Sequence, residues 1–88
     1  MNLTVKTVIK WKSMADMGNP NIAFVRRDKI LEFKDLGKTD GIVERNDTEL
    51  TGTLKFTDSA SAQEWIDYIT SLTTEKGIQL ISTQIVPI

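Results

Sequence analysis

Cysteine and histidine are both missing from this chain of 88 residues. Without cysteine there is no disulfide staple and no thiolate to ligate a metal. Without histidine the chain lacks the side chain that most often moves protons near neutral pH, and the commonest nitrogen ligand for metals. A serine or cysteine nucleophile activated by histidine is therefore excluded. No apolar run approaches the ~18–20 residues needed to span a bilayer. Neither charge dominates: 11 basic residues face 12 acidic ones, net -1, so the molecule as a whole carries no cationic field for nucleic acid. Internal repeats and low-complexity stretches are absent too.

What remains is ordinary for a globular domain, with 40% apolar and 26% charged residues. Its length suits one domain over residues 1–88, able to fold alone with little stability to spare. The opening residues Met1 to Lys6 lack the continuous apolar core of a signal peptide, so the expected location is intracellular, in the cytoplasm.

Residues 2–12 alternate with period two. Leu3, Val5, Thr7, Ile9 and Trp11 share one face and Lys6, Val8, Lys10 and Lys12 the other, which predicts a half-buried strand. A loop or single helical turn follows, broken at Gly18-Asn19-Pro20. Residues 22–36 admit two readings. As a hairpin, Ile22 and Phe24 face Leu31 and Phe33, with Arg26 to Lys29 at the turn. As a helix over about 20–36, Asn19 caps, Pro20 takes the first position and Gly37 stops it. The helical stripe would then contain Arg26 and Lys29 and would leave Phe24 and Leu31 outside, so the hairpin is preferred. Beyond it, Ile42 to Arg45 and the alternating run Leu50 to Phe56 form a strand pair, with Gly52 inward as the mark of a bulge or a close packing partner.

A helix over about 59–76 is the clearest element. Asp58, Ser59 and Ser61 offer caps, Ala62, Trp65, Ile66, Ile69 and Leu72 fall on one face, and Gly77 provides a left-handed stop. The final strand, 78–86, has apolar residues on both faces: Ile78 and Leu80 on one, Ile81 and Ile85 on the other. Either it bulges near Ser82 or a partner covers it. The expected fold is α+β, a mostly antiparallel sheet of five or six strands packed on the 59–76 helix. The alternative is a βαββαβ sandwich with a first helix at about 20–36. From Ile42 onward the order resembles the second half of small ferredoxin-like folds, the dimeric α/β-barrel group included.

Candidate sites are surfaces rather than chemistry. Lys6, Lys10 and Lys12 line the outer face of the first strand, and Arg26, Arg27 and Lys29 cluster nearby in sequence; together they are candidate anion or nucleic-acid contacts. They lack interleaved aromatics for base stacking, and lysines on a strand's outer face also serve solvation and discourage edge pairing. The carboxylates from Asp35 to Glu49 match no calcium-loop spacing and are interrupted by Lys38 and Arg45, so no metal is expected. Trp11, Trp65 and Tyr68 suit core packing better than a reactive pocket. Met14 and Met17, with Ile81 and Ile85, are candidate partner contacts. The expectation is a non-enzymatic binding or assembly protein without cofactor, self-associating as a homodimer through its sheet. A nucleic-acid accessory using the lysine face, or a ferredoxin-like enzyme or small-ligand binder with an internal cavity, stands as the alternative. Proteins of this make-up also occur among phage and mobile-element accessories, though no residue here singles that out.

Overall fold

The computed structural model describes residues 3–88. Seven elements follow in order: β1 (Val5–Trp11), α1 (Met14–Met17), α2 (Pro20–Asp35), β2 (Thr39–Asn46), β3 (Thr51–Phe56), α3 (Ser59–Lys76) and β4 (Leu80–Pro87). The strands make one antiparallel sheet in the order β2-β3-β1-β4, so the described residues hold four strands, not five or six. Asn2, the expected start of the first strand, lies outside the described residues. Thr7, Ile9 and Trp11 of β1 and Leu54 and Phe56 of β3 are buried beneath the helices. Lys6, Val8 and Lys10 alternate onto the opposite, uncovered face, as the period of two requires.

Residues 22–35 belong to α2, with Leu36 as its C-cap, and the preferred hairpin is corrected. Asn19 caps it, its side-chain oxygen accepting from the Asn21 amide at 2.9 Å, and Pro20 takes the first helical position. The residues that spoke against a helix are accommodated individually. Arg26 lays its guanidinium over Trp11, 5.2 Å from the ring centroid, and Lys29 places its ammonium 5.1 Å from the Tyr68 ring. Both lie along the packed stripe with their stems covered, while Phe24 and Leu31 point to solvent. Only Ile22 and Phe33 of this helix are fully buried.

The third helix, α3, agrees closely with the expected 59–76. Asp58 is its cap, accepting from the Ser61 amide at 2.7 Å. Trp65, Ile66, Ile69 and Leu72 are buried along one face. Gly77 ends the helix at φ 71°, and the Ile78 amide returns to the Thr73 carbonyl at 2.8 Å. That left-handed cap tucks Ile78 into the core. Phe33, Phe56 and Trp65 meet beneath the two long helices, with ring centroids 5.7–6.3 Å apart.

The two-faced last strand is explained by a bulge. Its pairing with β1 slips between Lys10 and Trp11: Lys10 faces Ser82 while Trp11 faces Leu80, leaving Ile81 as the extra residue. Leu80 and Ile85 therefore both reach the core side and Ile81 is left exposed. Of the two explanations open in the sequence, the bulge near Ser82 accounts for the pattern without a covering partner.

Candidate ligand-binding cleft

A cleft of about 350 Å³ opens between α2 and the sheet, bounded at one side by the edge strand β2. Its floor comes from β1 and β3, chiefly Ile9, Trp11 and Leu54, and its deep end from Trp65 and Ile69 of α3. Gly52 lies under the indole of Trp11: a Cβ at that position would meet Trp11 Nε1 at 3.8 Å. The inward glycine thus keeps the floor open beside the ring. The roof is α2, through Ala23, Arg26 and Ile30, and Val43 of β2 lines the side.

Three arginines line this mainly apolar space: Arg26 and Arg27 from α2 and Arg45 from β2. Arg26 is the most enclosed. Besides its seat on Trp11, its Nη1 donates to the Met17 carbonyl at 3.2 Å. Burial, and then the neighbouring Arg45 charge, lower its pKa from the ordinary arginine value. A guanidinium nevertheless stays protonated at neutral pH, so the cleft keeps a partly desolvated cation. Arg45 pairs with Asp47 and donates to Met14 Sδ at 3.2 Å. Among the described residues no carboxylate lies within ion-pair distance of Arg26 or Arg27.

The candidate residues read from sequence are divided by the fold. Arg26 and Arg27 meet at the cleft, whereas Lys29 turns to the α3 side, bridging Glu32 at 3.1 Å under Tyr68. Lys6 and Lys10 sit on the uncovered sheet face, where Lys6 lies opposite Lys55 and Lys10 opposite Thr51. Lys12 follows the strand, exposed. These lysines and the cleft arginines do not form one patch. Met17 is buried in the cleft wall and cannot serve as an exposed partner contact; Met14 is exposed. Ile85 packs against the core, leaving Ile81 as the exposed member of that pair.

Arg45 was missed in the sequence because it stands 19 residues beyond Arg26 and looked like an interruption of an acidic run. Only the placement of α2 beside β2 joins them. Among the described residues no helix is long and apolar enough to cross a membrane, and no cluster of carboxylates could hold a metal ion. No protein-family model, curated protein or solved structure matches the chain.

Proposed function

We propose that this chain is a non-enzymatic binding protein that takes the apolar part of a ligand into the cleft between α2 and β2. The single observation behind this reading is the cavity itself, whose volume falls within the range of small-molecule sites and whose walls are mainly apolar. Its polar groups are guanidinium and threonine hydroxyl, which bind and orient but are poor proton acceptors at neutral pH. The scaffold would be a ferredoxin-like βαββαβ sandwich, a reading favoured by the strand order with one long helix in each crossover.

The test is to fill the floor. Gly52→Val suits a strand and directs a branched side chain into the cleft under Trp11. In an NMR-monitored screen of small aromatic and aliphatic compounds, wild-type shifts should gather on Ile9, Leu54, Val43 and Ile30. In Gly52→Val those shifts should vanish while the fold is kept. Hits scattered over the surface, or hits that survive the substitution, would refute the reading.

Assembly through the sheet is a second reading, favoured by one observation distinct from the two-faced pattern. The free edge β4 carries no charged residue from Leu80 to Pro87, while the other edge, β2, carries Asp40, Glu44 and Arg45. Charged residues are a common guard against edge pairing, so the unguarded edge suits antiparallel pairing with a second copy. Because the chain has no cysteine, single cysteines placed from Ser82 to Gln84 give a direct test. Oxidation should trap dimers at one of these positions near a twofold axis; uniform failure, with monomer mass by light scattering, would dispose of it. The lysine face of β1 has no aromatic interleaving on its exposed side, so the nucleic-acid alternative receives no further support.

A further inference from the structure

We propose that the ligand of the cleft is an organic monoanion, a carboxylate head held by Arg26 on an apolar body lodged against Leu54 and Ile69. This deepens the cleft reading above and rests on it. The argument is one of charge, donors and shape. Arg26 is half-buried in an apolar wall, and an unpaired buried charge is costly. Folded proteins ordinarily neutralise such a group with a carboxylate, yet none is in reach of Arg26 among the described residues.

The donor inventory points the same way. A guanidinium has five N–H groups in a planar fork and no acceptor. One nitrogen donates to the Met17 carbonyl, and Trp11 covers a face of the plane. Arg26 lines the cavity, and a guanidinium fork can offer two parallel N–H groups to the two oxygens of a carboxylate. Arg45 already has Asp47, and Arg27 lies exposed on α2, where water screens it. One enclosed positive charge is therefore left uncompensated, which calls for one negative charge rather than two. The rest of the wall is mainly apolar, with the hydroxyls of Thr7 and Thr53 as its neutral polar groups. A head without a body, or a body without a head, leaves one half of the site unmatched.

The experiment compares decanoate with decanol, which share a body and differ in the head. Affinities for the full chain are read by NMR titration at pH 7.5, following the cleft amides and methyl groups. Decanoate should bind at least about tenfold more tightly than decanol, in line with a charge-assisted hydrogen bond. Arg26→Gln should bring decanoate to the level of decanol, and decanol shifts that still gather on the cleft amides show that the cleft is intact. Should Arg26→Gln fail to fold, Arg26→Lys keeps a cation over Trp11 without the fork, and decanoate alone should weaken.

Two results would overturn the proposal and leave the cleft reading standing: decanol equal to decanoate on the wild type, or full preference for decanoate retained by a folded Arg26 variant. If neither compound perturbs the cleft, the cleft reading falls and the proposal with it.

Discussion

Replacing Phe33 with leucine should loosen α2 while leaving α3 in place. The reasoning starts from what anchors each helix. Burying a large apolar side chain is worth about 1.5–3 kcal/mol. Two such residues, Ile22 and Phe33, hold α2, giving about 3–6 kcal/mol. Four, Trp65, Ile66, Ile69 and Leu72, hold α3, giving about 6–12 kcal/mol. The roof of the cleft is thus the weaker half of the helical layer, and it should open without global unfolding. Native-state hydrogen exchange measures this directly: amides of α2 should exchange at least about tenfold faster than those in the middle of α3. Phe33 also makes two edge-on aromatic contacts, with Phe56 at 6.0 Å and with Trp65 at 5.7 Å. Leucine forfeits both, at about 0.5–1.5 kcal/mol each, so α2 exchange should rise a further ~5- to 150-fold. Exchange of the β1 and β3 amides should change less. If both helices exchange at one common rate, and the substitution moves them in parallel, the molecule opens as a single unit and the reasoning fails.

Gly77→Ala should cost about 1–2 kcal/mol, because the backbone there is left-handed. Nothing lies within 4 Å of an added Cβ, so the alanine cost is backbone strain alone, and Gly77→Val should cost more because its branched side chain crowds its own left-handed backbone. Thermal unfolding would show it as a drop of several degrees in Tm, and undiminished stability in both would contradict the cap. Asp58 has its pKa lowered, first by the hydrogen bond from the Ser61 amide. A depressed carboxylate stabilises the fold above its unfolded value, near pH 3.9, and that contribution disappears as pH falls through the folded value. Asp58→Ala should therefore have a lower Tm than wild type at pH 7, with the gap narrowing in acid below pH 4. A gap that stays constant across that range would show that the carboxylate charge is not what caps α3.

The legibility of these elements in the sequence differed for physical reasons. The third helix was readable because its apolar stripe, its polar opposite face, its capping aspartate and its glycine stop all agree. The second was not, because its outer face carries Phe24 and Leu31 while its inner stripe carries Arg26 and Lys29. Periodicity assumes that cations avoid the packed side. Here the rings of Trp11 and Tyr68, from other elements, give those cations somewhere to lie. The final strand's two apolar faces were legible as a bulge or a covered strand, and the slip at Lys10/Trp11 is the bulge. The cleft had only one local sign, the inward Gly52. Its arginines come from two elements, and no spacing rule relates a helix turn to an edge strand 19 residues later.

Trp11 and Trp65 are the only indoles in the chain, and both stand in the wall of the cleft. The indole emission of the whole molecule, excited selectively over Tyr68, therefore originates at one address. A guest that displaces water there, or shifts the guanidinium stacked on Trp11, should alter intensity and wavelength with no attached dye. Events on the lysine-bearing sheet face should leave the spectrum unchanged.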